Sequence, residues 1–185
     1  MSDARKIVAE LLGEGSAARG HFQVWWALRN LAIPQYLATM DDHADFFIAS
    51  SVANYKSFFL ALSKIFDRDI RVSGVSNLKE ALRTEGHSKL AADFEKRIEP
   101  LSSLVERVMS IRNKTIVHNE RELPRDKVYE LYGVTPNEIR SLIDSTCTAI
   151  NNVAQGLGIS NSIFENDRLE RATLAMLERL AHENT

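Results

Sequence analysis

The sequence predicts an all-α fold, a compact antiparallel helical bundle with short additional helices. Apolar residues recur at helical spacing along most of the 185 residues, whereas strict alternation of apolar and polar residues is scarce. The sequence contains no Asn-Gly or Asp-Gly hairpin turn, and its 8 glycines and 4 prolines are too few for a loop-rich sandwich. Because the connections between helices are short, we expect a single domain over residues 1–185.

The N-terminal part is predicted to form two helices. The first covers Asp3–Leu12 and ends near Gly13 and Gly15, because glycine is a poor helix former. The second runs from about Ala18 to Met40. Pro34 should kink or divide it, since proline removes a backbone hydrogen-bond donor.

A third helix is predicted from about His43 to Phe66, with Asp41 or Asp42 as its N-cap. Its apolar residues form a wide stripe that we assign to the core of the bundle: Phe47, Val52, Tyr55, Phe58, Phe59, Leu62, Ile65 and Phe66. A loop over residues 67–76 follows.

A short helix, Leu78–Arg83, is expected next, capped by Ser76 or Asn77 and ended by Gly86. A long helix then covers about Ser88–Val117. Pro100 divides it, because proline fits the first turn of a new helical segment better than a helix interior.

The C-terminal part is predicted to form two helices after a loop at Pro124 and a short helical stretch that ends at Tyr132 and Gly133. The first begins with a capping box at Thr135–Glu138 and reaches about Gln155. The second covers about Ser162–Ala181.

Composition excludes several classes of protein. The single cysteine, Cys147, excludes an internal disulfide framework, fits a reducing cytoplasm and is interpreted as a packing residue. The longest strongly apolar run is far shorter than the ~20 residues that span a bilayer, and the N-terminus lacks an apolar signal segment. We therefore expect a cytoplasmic protein without a membrane partner.

No metal or other cofactor is expected. Four histidines, His21, His43, His87 and His182, are scattered without the spacing of metal ligands. The sequence also contains neither a P-loop nor a dinucleotide-binding fingerprint.

The segment with the most chemical information is Ile111–Asn119, at the end of the long predicted helix. Five residues separate Arg112 from His118, which gives an Arg-x(4–6)-His pattern. Six residues at about 100° each place the two side chains roughly 120° apart on an ideal helix, so they meet only if the arginine reaches around or the helix ends near Val117. Between residues 107 and 127 the local charge is +3, in a chain of net charge -2.

This pattern resembles the motif of the HEPN superfamily of all-helical domains. Arg112–Lys114 followed by Val117–His118 is similar to the branch related to bacterial phage-abortive-infection proteins. Phe58–Asp67 also resembles the long helix that precedes the motif in that branch. The resemblance extends roughly from the second predicted helix to the end of the chain.

The resemblance implies a metal-independent endoribonuclease that acts in a toxin or phage-defence context. It implies that Arg112 and His118 are catalytic with support from Asn113, and that Lys114 and Asn119 bind RNA. The residue types suit this chemistry, because histidine transfers protons near neutral pH and the arginine fork stabilises charge on phosphoryl oxygens.

The resemblance also implies the partners. In the family, two protomers pair so that both motifs line one cleft, so the expected partners are RNA, a second copy of the chain and an antitoxin protein. Two alternatives stay open. One is a non-catalytic HEPN module that binds RNA, a nucleotide or a partner protein, and the other is a helical scaffold in which the Arg-His pattern is accidental.

Overall fold

The computed structural model describes residues 2–114 and 132–183, and all regular structure within them is helical, which confirms the all-α prediction. A π-helical turn, Ala27–Leu31, follows the first helix, and a 3-10 turn, Glu99–Leu101, joins the fifth to the sixth. Within these ranges the α-helices are, in chain order, α1 (Asp3–Trp26), α2 (Leu37–Asp42), α3 (Ala44–Ile65), α4 (Val75–Thr84), α5 (Ser88–Ile98), α6 (Ser102–Arg112), α7 (Pro136–Gly156) and α8 (Arg168–Glu183).

The core of the bundle lies between α1, α3 and α7, with α4, α5 and α6 packed around them. Aromatic rings fill its centre, where Phe22 of α1 meets Phe58 of α3 edge to face with ring centroids 5.5 Å apart. A second, smaller cluster of buried residues lies where α8 joins the π-helical turn and α3: Leu28, Ala32, Phe47 and Leu177. None of the helices in the described ranges is long and apolar enough to cross a membrane.

The glycines of α1 do not end the helix, so the predicted end near Gly13 and Gly15 was wrong. A side chain at Gly15 would overlap Ile163, and a Cβ at Gly20 would lie 2.9 Å from Leu169 Cδ1. Glycine is used here for close packing of distant segments, and that packing offsets its low helix propensity of about 1 kcal/mol.

Pro34 divides the second predicted helix, as expected, and the peptide bond between Ile33 and Pro34 is cis. The N-cap prediction for the next helix was wrong. Asp41 and Asp42 are the last two residues of the short α2, and His43 precedes α3 without a side-chain cap. The two acids are therefore held in a helix of their own and cannot start the following one.

Seven of the eight residues in the predicted core stripe of α3 are buried or half-buried, whereas Val52 is 43% exposed. The neighbouring helices cover the face that carries Phe58 and Leu62, which are fully buried. The apolar stripe of α3 is wider than the face that the bundle covers.

The α4 helix begins at Val75, three residues before the predicted start, with Gly74 at its N-cap position. Asn77 does not cap it, because its side-chain amide donates to the carbonyl oxygens of Asp69 and Val72 in the preceding loop, at 2.8 and 2.6 Å. Gly86 ends this part of the chain with a positive φ of 83°, as its position predicted.

Pro100 separates α5 from α6, as predicted, and lies in the 3-10 turn between them. The α6 helix reaches Arg112, and a π-helical conformation continues through Lys114. The rest of the predicted helix up to Val117 and the loop at Pro124 lie outside the described residues.

The predicted start of α7 is confirmed in detail. The hydroxyl of Thr135 accepts a hydrogen bond from the Glu138 backbone N–H, and the Glu138 carboxylate accepts one from the Thr135 backbone N–H, at 3.2 and 2.8 Å. Both groups would otherwise be unpaired donors at the helix end. The helix ends at Gly156, one residue beyond the predicted end.

Residues 159–167, here called the strap, lie between α7 and α8 without helical structure, so the predicted start of the last helix at Ser162 was wrong. The Asn151 side chain bonds both the N–H and the carbonyl of Ile163, at 2.7 and 2.9 Å. On α1, Gln23 donates to the Asn166 carbonyl, and the buried Arg19 bonds the Phe164 carbonyl and pairs with Asp144. These side-chain hydrogen bonds pair backbone groups of the strap that a helix would otherwise pair within itself.

Candidate functional site

The candidate site lies at the C-terminal end of α6. This helix is anchored by Val108 and Ile111, which are fully buried against the bundle, where α6 contacts α3 and α7. Since Ile111 points into the core, the residues that follow it stand at the edge of the bundle. Arg112 and Asn113 therefore directly follow a part of α6 that core packing holds in place.

Arg112 is the last residue of α6 and is half-buried. Its Nη1 donates to the side-chain oxygen of Asn113, at 2.7 Å. Among residues 2–114 and 132–183, no carboxylate pairs with Arg112. A guanidinium has five N–H donors, so this contact leaves donors that suit a phosphate or another oxyanion.

The predicted site residues divide into two groups. The structure brings Arg112 and Asn113 into direct contact, and Lys114 follows them, half-buried, in the π-helical turn. His118 and Asn119 lie outside the described residues, so the predicted meeting of Arg112 with His118 stays a prediction.

The structural role of Arg107 was not predicted from the sequence, where its charge entered only the local charge of +3 between residues 107 and 127. Its guanidinium donates to the carbonyls of Gly133 and Tyr132, at 2.8 and 3.4 Å, and to the Glu138 carboxylate, at 3.1 Å. Glu138 could have indicated this contact, because a carboxylate that closes a capping box uses one oxygen for the cap and has a second oxygen that can pair with a nearby cation. Arg107 thus ties α6 to the point where the described chain resumes after residue 131.

Hydrogen bonds hold the pKa of Glu138 below its ordinary value. The first cause is the backbone N–H of Thr135, followed by the Arg107 guanidinium and the Thr135 hydroxyl. Each of them stabilises the carboxylate over the protonated acid. Glu138 is therefore charged at neutral pH, and its charge serves α7 and Arg107 rather than the Arg112 end of α6.

The single cysteine, Cys147, lies buried in the core of the bundle. Burial raises the pKa of Cys147 to about 12, and its Sγ lies 3.5 Å from the Gly15 carbonyl oxygen. The thiol therefore stays protonated, which supports its interpretation as a packing residue. Within the described part of the chain, no three side chains of His, Cys, Asp or Glu are grouped as metal ligands.

Comparison with known proteins identifies one family. The family model described as AbiU2, of the HEPN type, matches residues 1–173. The match extends from α1 into α8 and includes all of the Arg112–Asn119 segment. No curated protein and no solved structure matches the chain.

Proposed function

Because the chain belongs to the AbiU2 family of HEPN domains, we propose that it is a metal-independent endoribonuclease acting in a toxin or phage-defence context. The family makes it an abortive-infection module of the HEPN type, and the cleavage of RNA is the step proposed here. One observation carries that step: the Arg112 guanidinium contacts only the neutral Asn113 side chain and no carboxylate within the described residues.

The proposed reaction needs no metal. The 2′-hydroxyl of the substrate attacks the adjacent phosphorus and loses its proton, and the bond to the 5′-oxygen of the next nucleotide breaks as that oxygen takes up a proton. The products are a 2′,3′-cyclic phosphate and a 5′-hydroxyl. In this scheme His118 transfers protons, because the ordinary pKa of histidine lies near 6.5.

Arg112 stabilises the negative charge that builds on the non-bridging phosphoryl oxygens. Asn113 orients the guanidinium, since its side-chain oxygen accepts from Arg112 Nη1 at 2.7 Å. A fixed guanidinium stabilises the transition state without reorganising during the reaction. Lys114 and Asn119 are proposed to contact the RNA backbone on either side.

Two copies complete the proposed site. Each chain supplies one Arg112 and one His118, and a two-fold dimer brings both pairs to one substrate phosphate. RNA is the proposed substrate, and an antitoxin protein is the proposed partner that restrains cleavage.

The decisive experiment is cleavage of total RNA by the purified protein in EDTA. We expect 5′ fragments that end in a 2′,3′-cyclic phosphate, and RNA methylated at the 2′-oxygen should bind and resist cleavage. His118→Ala should reduce the rate roughly 10²-fold or more, the usual scale for general acid–base catalysis. His87→Ala is the matched control, because His87 is exposed at the start of α5.

The possible outcomes separate the alternatives. RNA that binds without being cut supports the non-catalytic HEPN module, since Arg112 binds a phosphate equally well without chemistry. If the wild-type protein leaves RNA intact and His118→Ala also lowers the thermal midpoint by many degrees, the histidine is a structural residue and the enzyme proposal is wrong.

A further inference from the structure

Three aromatic side chains keep part of their surface exposed where α1 packs against α3. They are Trp25, Trp26 and Tyr55, here called the aromatic face, and all three are half-buried. The ring centroids of Trp25 and Tyr55 lie 5.9 Å apart, and those of Trp25 and Trp26 lie 6.3 Å apart. Tryptophan and tyrosine that combine apolar packing with an exposed part are typical of binding surfaces.

Buried rings hold the aromatic face in place. Phe58 is fully buried, and its ring centroid lies 5.5 Å from that of Trp25 and 5.5 Å from that of Tyr55. Phe22, which is also buried, meets Trp25 at 5.6 Å and Trp26 at 6.2 Å. Because these rings are fixed by the core, a planar group that stacks on them orders few side chains.

One cation already contacts the aromatic face. The Arg140 guanidinium lies 5.3 Å from the ring centroid of Trp26, within the range of a cation–π interaction. It also pairs with Glu170 and Asp167, at 2.7 and 3.8 Å, and so offsets both carboxylates. Since Arg140 covers part of Trp26, the rings best placed to meet a ligand are those of Trp25 and Tyr55.

The two segments that carry the aromatic face contain no acidic residue. None occurs in residues 15–40 or in residues 46–66, although acids outnumber lysine and arginine in the whole chain by 25 to 23. The flanking acids Asp45 and Asp67 lie ten and twelve residues from Tyr55, about 15 Å or more at 1.5 Å per residue. A ligand at the aromatic face therefore meets no carboxylate from either segment.

Two exposed cations flank the aromatic face. Arg29 follows Trp25 by four residues, about one helical turn, and Lys56 directly follows Tyr55. Within residues 2–114 and 132–183 neither cation forms an ion pair. Aromatic rings flanked by such cations suit single-stranded nucleic acid, because bases stack on the rings while phosphates meet the positive charges.

The aromatic face and the candidate site share the same core. The α6 helix, which ends at Arg112, packs against α3. Ile111 is buried in the cluster against which Trp25 and Tyr55 pack. Bases bound beside α3 therefore lie on a helix that α6 itself contacts.

We infer that the aromatic face binds unpaired bases of RNA, with bases stacked on Trp25 and Tyr55 and the flanking phosphates held by Arg29 and Lys56. The inference rests on the proposed function for its substrate, RNA, and adds the form in which that RNA is bound. The bound segment is single-stranded, because the bases of a duplex are stacked on one another and do not offer their faces to a protein.

Tryptophan fluorescence tests the stacking directly, because Trp25 and Trp26 are the two tryptophans of the sequence. The probe is a ten-nucleotide RNA of mixed sequence methylated at every 2′-oxygen, which the proposed reaction does not cut. Its binding should quench the fluorescence. An abasic strand of the same length and the same RNA paired into a duplex are the controls, and both should bind roughly tenfold more weakly or worse and quench little.

Variants of Tyr55 test the face from α3. Tyr55→Leu should weaken binding of the methylated RNA roughly tenfold or more, the scale of one lost base stack, whereas Tyr55→Phe keeps the ring and should retain most of the affinity. Tyr36→Leu is the control, because Tyr36 is also half-buried but packs against the smaller cluster beside α8.

The salt dependence of binding tests the cations. Arg29→Gln and Lys56→Gln each remove one proposed phosphate contact and should lower the slope of log binding constant against log salt concentration by about 0.7. Both side chains are exposed, so an unchanged circular dichroism spectrum is expected. Lys96→Gln, at an exposed lysine of α5, should leave the slope unchanged.

Four results would overturn the inference: no binding of the methylated RNA, binding without quenching, equal affinity for the abasic strand, or a salt slope that neither Arg29→Gln nor Lys56→Gln changes. RNA cleavage that Tyr55→Leu leaves at full rate would overturn it as well and would leave the proposed function standing. Quenching and the expected variant effects in a protein that cuts no RNA leave the inference standing and contradict the proposed cleavage.

Discussion

The middle and the C-terminal end of α6 use the same type of side chain in opposite ways. Near the middle of the helix, Arg107 donates to two backbone carbonyls and one carboxylate. At its C-terminal end, Arg112 contacts the Asn113 side chain and meets no carboxylate among the described residues. An arginine whose donors already have strong acceptors stabilises the fold, whereas the donors of Arg112 that no described residue pairs suit an anionic ligand.

The largest expected effect concerns Arg112 itself. Arg112→Gln removes the charge but keeps a polar side chain, and we expect RNA cleavage to slow roughly 10²-fold or more. The thermal midpoint should barely change, because no carboxylate in the described residues loses its partner. Steady-state rates and a melting curve measure both effects. Arg97→Gln, an exposed arginine of α5, is the control that should retain full activity.

The reverse outcome is expected for Arg107. Arg107→Gln removes three charge-assisted hydrogen bonds, and because the side chain is about a third exposed we expect a loss of only about 1–2 kcal/mol. Urea denaturation of Arg107→Gln and Arg112→Gln gives the comparison. Equal losses of stability in the two variants would contradict the division between the middle and the C-terminal end of α6.

A smaller effect is expected where Arg107 meets α7. Thr135→Ala removes the hydroxyl that accepts from the Glu138 backbone N–H and should cost about 1 kcal/mol. Thr135→Ser keeps the hydroxyl and should lose little. Chemical denaturation at neutral pH measures the free energy of unfolding of both variants. A large loss of stability in Thr135→Ser would show that the threonine methyl group, rather than the helix cap, stabilises this end of α7.

The smallest effect is a dependence on pH. The pKa of Glu138 is lowered in the folded protein, chiefly by the Thr135 backbone N–H and then by Arg107. Its stabilisation is therefore complete above the ordinary carboxyl pKa of 4.5 and declines as the pH falls through the lower folded value. The stability difference between wild type and Glu138→Gln should narrow from pH 7 to pH 3, and a constant difference would contradict this.

Features that depend on neighbouring residues were predictable from the sequence. The capping box at Thr135–Glu138 and the boundary at Pro100 are both confirmed, because each follows from local backbone chemistry. Arg112 and Asn113 are adjacent in the sequence, and whether they serve the site stays a prediction. Their mutual hydrogen bond needs no distant part of the chain.

Features that depend on distant segments were not predictable. Gly15 was predicted to end a helix, but in the structure it allows Ile163 to pack closely against α1. Ser162 was predicted to start a helix, but the hydrogen bonds of Asn151 to Ile163 hold this segment in a non-helical conformation. In the sequence, Arg107 indicates only one more positive charge. In the structure it donates hydrogen bonds to the Glu138 carboxylate and the Gly133 carbonyl. In each case the deciding partner lies far away in sequence, where helical periodicity carries no information.

The strap is bonded to α1, and contacts between segments so far apart in the sequence affect the order in which the protein folds. Arg19 and Gln23 in the first helix bond the carbonyls of Phe164 and Asn166, across 145 and 143 residues. Contacts at such separation are slow to form, because the intervening chain must first be closed into a loop. During synthesis, Arg19 and Gln23 of α1 therefore find these acceptors only after residues 164–166 have been made.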